Sequence, residues 1–124
     1  MTQIEGRLRY KSRKPKKDLP GFVYVVAYDS VVVKVGRTDN ITRRLHQHDT
    51  NAEIHGAERV ATWFRWFEDS YTAEKSLLRT YRRYRPEDTA VGKEWFIPGD
   101  FGRAANLANK LYLREASGCP LSLP

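Results

Sequence analysis

Two runs rich in β-branched and aromatic residues, GFVYVVAY (21–28) and VVVKV (31–35), stand back to back with only Asp29-Ser30 between them. Such residues fit a pleated, half-buried surface, and a short polar break between two of these runs reads as a β-hairpin. Side chains alternate across a strand, which places Phe22, Tyr24, Val26 and Tyr28 on one face of the first strand. On the second strand Lys34 and Gly36 share a face, with Val33 and Val35 opposite.

The rest of the chain supplies partners for this hairpin. In RTDN, Asp39 or Asn40 can cap a helix over roughly Ile41 to His48. Ile41, Leu45 and His48 form its apolar stripe, and Arg44 borders that stripe. Residues 49–57 read as a loop, with Asn51 and Gly56 as breakers, and RVATWFRWF is a third strand. Trp63, Phe64, Trp66 and Phe67 supply core on one face of it; the aromatics left for the other face do not by themselves spell a base-stacking platform. Asp69-Ser70 caps a second helix running through YTAEKSLLRTYRRYR to Pro86, with Ala73, Leu77, Tyr81 and Tyr84 along its apolar stripe and Glu74 at the stripe's edge. EDTAVG is expected to be a loop and KEWFI a short extended segment in which Trp95 and Phe96 anchor a closing strand. A last helix, capped by Asp100, covers about Phe101 to Arg114, with Ala104, Leu107, Ala108 and Leu111 inward. The order β-β-α-β-α-(β)-α predicts an α+β domain over residues 21–116: a small, mainly antiparallel three-stranded sheet flanked by helices.

Length and charge narrow the partners. A chain of 124 residues accommodates one such domain, and its net charge of +7 points to a polyanion, most often nucleic acid. Seven of the 22 basic residues (Arg7, Arg9, Lys11, Arg13, Lys14, Lys16 and Lys17) crowd into residues 1–20. This segment has no apolar period and is expected to be a flexible arm that contacts phosphates without reading sequence. Residues 117–124 are expected to fray. No stretch is long and apolar enough to span a bilayer, and no apolar run follows the basic N-terminus as in a secretory signal. The single cysteine, Cys119, allows neither an intrachain disulfide nor a CxxC zinc site, which fits a reduced, cytoplasmic setting.

Phosphate-binding loops, dinucleotide fingerprints, HExxH and EF-hand patterns are all absent from the sequence. What remains is an ordered set of short motifs: GFVY, VKVGRT, RRLHQH, AEKSLL and GKEWF. In this order and spacing, from Gly21 to about Phe96, the chain resembles the GIY-YIG nuclease superfamily, in its compact phage-type branch where the second motif reads VKIG. The resemblance implies a cytoplasmic protein of a bacterial or phage-infected cell, acting on DNA. It also implies that Tyr24 is the first-motif tyrosine, Gly36 the second-motif glycine, Arg44 the helix arginine, His48 a histidine found in several members, and Glu74 the metal-binding glutamate. Lys34 stands where the second-motif tyrosine would be. The asparagine that often closes the site has no counterpart, and the nearest segment offers Lys93 and Glu94.

Phosphodiester hydrolysis needs a deprotonated nucleophile, neutralised phosphoryl oxygens and help for the leaving oxygen. A magnesium or manganese ion on one carboxylate plus waters meets part of that need, and Glu74 can be the ligand. Arg44 can hold non-bridging oxygens through its planar fork. The general base is Tyr24, if nearby cations lower its pKa, or Lys34, if desolvated. Arg37 and Arg43 extend the expected DNA-binding surface. Each residue also has a plain structural role open to it. Tyr24 can be core, Glu74 can complement a helix dipole, Arg43 and Arg44 can be a solvated face, and His48 can be a satisfied core histidine. His46 and His55 read as surface groups. The expected function is a metal-dependent endonuclease of low intrinsic sequence specificity. A catalytically weakened DNA-binding module and a phage protein-interaction factor are the alternatives.

Overall fold

Strand β1 (Gly21–Tyr28) lies inside the sheet, and this position accounts for its unbroken apolar character. The computed structural model describes residues 19–29, 32–82, 90–91, 95–96 and 101–121. In it, β1 pairs antiparallel with β2 (Val32–Thr38) on one side and with β3 (Arg59–Phe67) on the other. Two short strands, β4 (Ala90–Val91) and β5 (Trp95–Phe96), extend the sheet beyond β2, giving the order β3-β1-β2-β5-β4. The helices are α1 (Ile41–Ile54), α2 (Ser70–Arg82) and α3 (Phe101–Ala116). The α+β architecture expected from the sequence is present, and its three long antiparallel strands are those read from the hydrophobic runs. No described helix is long and apolar enough to cross a membrane.

The alternation along β1 sorts the core into two layers. Its odd-numbered side chains, Val23, Val25 and Ala27, join Val33, Val35 and Phe67 beneath α2 and α3, which contribute Ala73, Leu77, Leu78, Ala104, Ala108 and Leu111. Its even-numbered side chains, Tyr24, Val26 and Tyr28, pack with Ala57 and with Ile41, Leu45 and Ala52 of α1. Burying each large apolar side chain contributes about 1.5–3 kcal/mol. The small residues Ala73, Ala104 and Ala108 let α2 and α3 approach closely enough for that burial.

Helix ends follow local chemistry. Asn40 Oδ1 accepts from the Arg43 amide (3.1 Å), and Asp69 Oδ1 accepts from the Thr72 amide (3.1 Å), so both are N-caps. Helix α1 runs about two turns past the expected end at His48. Asp49, Thr50 and Asn51 are poor helix formers, but the packing of Ala52 and the bonds made by Asp49 outweigh their propensity. The helix stops at Gly56, whose φ of 74° lets the Ala57 amide reach back to the Ala52 carbonyl and the Gly56 amide to Glu53. Gly118 (φ 78°) ends α3 in the same way, with the Cys119 amide donating to the Arg114 carbonyl. Ala90 and Val91, expected within a loop, form β4 through pairing with β5. The basic arm over residues 1–18, Tyr84, and Lys93 and Glu94 lie outside the described residues.

Two polar clasps tie the layers together. On the α1 side, the Tyr28 hydroxyl donates to Asp49 Oδ1 (2.9 Å). Arg59 grips the same carboxylate with two donors (Nε 3.0 Å, Nη2 3.1 Å) and reaches Thr62 with its third nitrogen (2.8 Å). On the other side, Arg37 Nε donates to Ser70 Oγ (2.7 Å), and Ser70 Oγ donates to the Leu19 carbonyl (2.6 Å), joining β2, the start of α2 and the entry to β1.

Burial, followed by the hydrogen bond and then the charge of Asp49, pushes the Tyr28 phenol well above its ordinary range, with Arg59 partly offsetting. The folded state therefore holds the Tyr28 proton more tightly than the unfolded state. Its contribution is complete below about pH 10 and is lost as pH rises beyond that. We expect Tyr28→Phe to be about 0.5–1.5 kcal/mol less stable at neutral pH. The gap should narrow as urea unfolding is repeated above pH ~10.

Candidate active site

The site begins with a cross-strand pair. Tyr24 on β1 lies directly opposite Gly36 on β2. A Cβ placed on Gly36 would stand 2.5 Å from the Tyr24 hydroxyl oxygen and 2.7 Å from Cζ. The tyrosine ring therefore lies across the bare backbone of its partner, which explains a glycine within a strand where it otherwise weakens packing. Gly36 is needed for close approach.

Helix α1 closes over this ring. The turn through Asp39 and Asn40 brings the helix back across the even face, and its stripe Ile41, Leu45, His48 and Ala52 meets the sheet. At His48 the stripe carries an imidazole, whose Nε2 lies 2.8 Å from the Tyr24 hydroxyl. The phenol donates if His48 is protonated on Nδ1, and accepts if Nε2 carries the proton. Tyr24 is 0% exposed and His48 is 7% exposed, so His48 is the outward member of the pair.

The other expected residues distribute as follows. Lys34 is buried at 6% exposure on β2 and shares the face of Gly36 and Tyr24. Arg44 is half-buried one turn before His48, and the two line a shallow open depression with Gln47 and Asn51. Arg43 is exposed beside it. Glu74 is 9% exposed, but it stands on α2, whose Ala73 and Leu77 cover the opposite face of the sheet. Tyr24, Gly36, Lys34 and His48 thus gather on one face with Arg44 at its margin, and Glu74 is nearly buried on α2. Arg37 faces the rear layer, beneath α2 and α3, where its guanidinium is bonded to Ser70 and to the Pro20 carbonyl. Arg7, Arg9, Lys11, Arg13, Lys14, Lys16 and Lys17 lie outside the described residues. His46 and His55 are exposed, as expected of surface groups.

Among the described residues, no group of three or more His, Cys, Asp or Glu side chains is placed to hold a metal ion. A zinc-type centre is therefore not built from them. A nearly buried single carboxylate such as Glu74 does suit magnesium, which keeps most of its waters and takes one or two carboxylates from protein.

Two features were missed in the sequence. The Tyr28–Asp49–Arg59 clasp sits on a segment read as loop. Phe64 and Trp66, expected with Trp63 and Phe67 as core on one face, instead lie exposed on the even face beside Phe22, because alternation along β3 sends only Trp63 and Phe67 to the rear layer.

The Tyr24–Gly36 contact yields a direct test. Gly36→Ala overpacks the ring and is expected to cost about 1–3 kcal/mol in urea unfolding. The same substitution should cost less in a Tyr24→Phe background, where the closest atom is gone, and a double-mutant cycle reads that coupling.

Comparison with known proteins adds one finding. No curated protein and no solved structure shows a significant match to the chain. The sequence model of the T5orf172 domain matches residues 21–111, which span β1 through most of α3, including the Tyr24–Gly36–His48 set and Glu74. The chain belongs to the T5orf172 domain family.

Proposed function

We propose that this protein is a metal-dependent endonuclease that hydrolyses DNA phosphodiester bonds with little intrinsic sequence preference. The observation that carries the reading is the buried Tyr24–His48 hydrogen bond, seated over Gly36 within a T5orf172 domain. T5orf172 domains are phage-associated and nuclease-like in context, and the net charge of +7 suits a polyanionic substrate.

In this reading Tyr24 and His48 act as one base. His48, the outward member, accepts a proton from the attacking water, and Tyr24 sets the tautomer that leaves it able to do so. The water oxygen bonds to phosphorus, the bond to one bridging oxygen breaks, and the products are a phosphomonoester and a free hydroxyl. Arg44, one helical turn away, clamps the non-bridging oxygens, on which charge accumulates. Lys34, buried on the same face, is the alternative base. Glu74 would hold magnesium or manganese, and the ion supplies charge neutralisation at the phosphoryl and leaving oxygens when bound.

A weakened, purely DNA-binding role is the second reading. It is favoured by Lys34 standing where the resemblance calls for a tyrosine. A protein partner that supplies target specificity is compatible with either.

Nicking of supercoiled plasmid separates them. Activity should need magnesium or manganese and vanish in EDTA and in Glu74→Gln. Tyr24→Phe keeps the ring over Gly36 and should slow cleavage by about 10²–10⁴-fold with the fold intact. Arg44→Ala should lose cleavage while retaining part of its DNA affinity. Plasmid and single-stranded DNA both left intact across both metals, with DNA binding unchanged by Glu74→Gln, would sink the enzyme reading. Removing residues 1–18 tests the arm as a tether: with seven basic residues and about 0.9 per phosphate contact, the slope of log affinity against log salt should fall by up to about 6.

A further inference from the structure

The even face of the sheet is only partly covered. Helix α1 packs on Tyr24, Val26 and Tyr28, and the end of the face beyond Tyr24 carries Phe22, Phe64 and Trp66. Register explains the grouping. Phe22 lies opposite Trp66, and Tyr24 lies opposite Phe64, so the aromatics form a block adjoining the Tyr24–His48 pair on that face. Phe22 meets both neighbours edge to face, at 5.8 Å and 76° for Phe64 and 5.0 Å and 81° for Trp66. Such a contact uses at most one face of each outer ring. Phe64 remains 39% exposed and Trp66 44% exposed. Isolated exposed apolar residues are ordinary, but three contiguous aromatics beside a buried polar pair are not.

Charge decides among occupants. A second copy of this chain would bring +7 against +7. The open edge of β3 also carries exposed Arg59 and Arg65, the latter donating to the Phe64 carbonyl (2.7 Å), and charged edge strands discourage strand-to-strand pairing. An unpaired nucleotide fits both properties of the surface: its base offers a flat π face and its phosphate is drawn to the positive chain. Phe22 and Tyr24 are two strand positions apart, about 7 Å, a span that one nucleotide bridges.

We propose that Phe22, Phe64 and Trp66 form a stacking platform for one or two unpaired bases flanking the phosphate at the Tyr24–His48 site, giving the protein a preference for single-stranded or unpaired nucleic acid over continuous duplex. The platform rests on the nucleic-acid reading above and defines its substrate class. Duplex bases are already stacked and present only their edges, so a platform beside the scissile phosphate selects strands whose bases are free.

The test uses the full chain in EDTA, so that turnover is not needed. Fluorescence anisotropy compares a labelled oligothymidylate with a duplex of the same length. Trp66→Leu should weaken the single strand by about 5- to 100-fold and the duplex by no more than about 2-fold. Trp66→Phe, which keeps a ring, should retain most of the affinity. Equal weakening of both substrates, or of neither, overturns the platform. Should Trp66→Leu fail to fold, the unmodified protein decides: its tryptophan fluorescence should be quenched by oligothymidylate and not by an abasic strand carrying the same phosphates, and equal quenching by the two refutes stacking. A wild-type dimer in sedimentation velocity that becomes monomeric in Trp66→Leu assigns the face to a second copy and also refutes it. Strand preference without cleavage retires the enzyme reading alone, and cleavage without strand preference retires the platform alone.

Discussion

The contact of the Tyr24 ring with the bare backbone of Gly36 is the constraint on which the working face depends. Any side chain at Gly36 would occupy the space of the phenol. With the ring flat across β2, its hydroxyl meets His48 at 2.8 Å, and that bond places a polar group of α1 within an otherwise apolar stripe. A buried hydroxyl or imidazole without a partner costs about 1–3 kcal/mol, so each satisfies the other. The register of β1 on β2 and the rotation of α1 about its own axis are linked through this one pair.

The sheet is also a partition. Its rear layer, beneath α2 and α3, is almost wholly apolar, and it is where the fold gains most of its hydrophobic stabilisation. Its front layer is thinner, covered by one helix, and mixes Val26 with tyrosines, a histidine and a buried lysine. Most of the apolar burial and the Tyr24–His48 pair thus lie on opposite faces of the same strands. The residue that departs from this division is Glu74, a nearly buried carboxylate on a rear-layer helix.

The front layer is held at both ends. Asp49 and Arg59 lock the far end of α1 to β1 and β3, and the Asn40 cap fixes the near end just after β2. Between these anchors the exposed side of α1 presents Arg43 and Arg44, and the uncovered end of the sheet presents aromatic rings. Positive charge and flat apolar surface adjoining a buried polar pair are what a phosphate with a free base attached would require.

The periodicity of the sequence determined the elements: the three long strands, caps at Asp39 or Asn40 and at Asp69-Ser70, the inward positions of α3, and the parity that puts Phe22, Tyr24, Val26 and Tyr28 on one side of β1 and Lys34 and Gly36 on one side of β2. These are local properties, set by alternation and by side-chain competition for backbone amides. The continuation of α1 through Asp49–Ile54 was not legible, because local propensity there favours a turn and is overruled by contacts with strands distant in sequence. Nor was the role of Arg37, expected on the DNA-binding surface, which Ser70, far along the chain, turns into a structural clasp. The aromatic block needed three residues from two strands, and its exposure depended on where α1 stops covering the sheet. The sequence by itself decided which residues share a face. Tertiary structure decided which of them lie opposite one another and which remain uncovered, because register and helix placement are fixed by long-range packing that no short window of sequence contains.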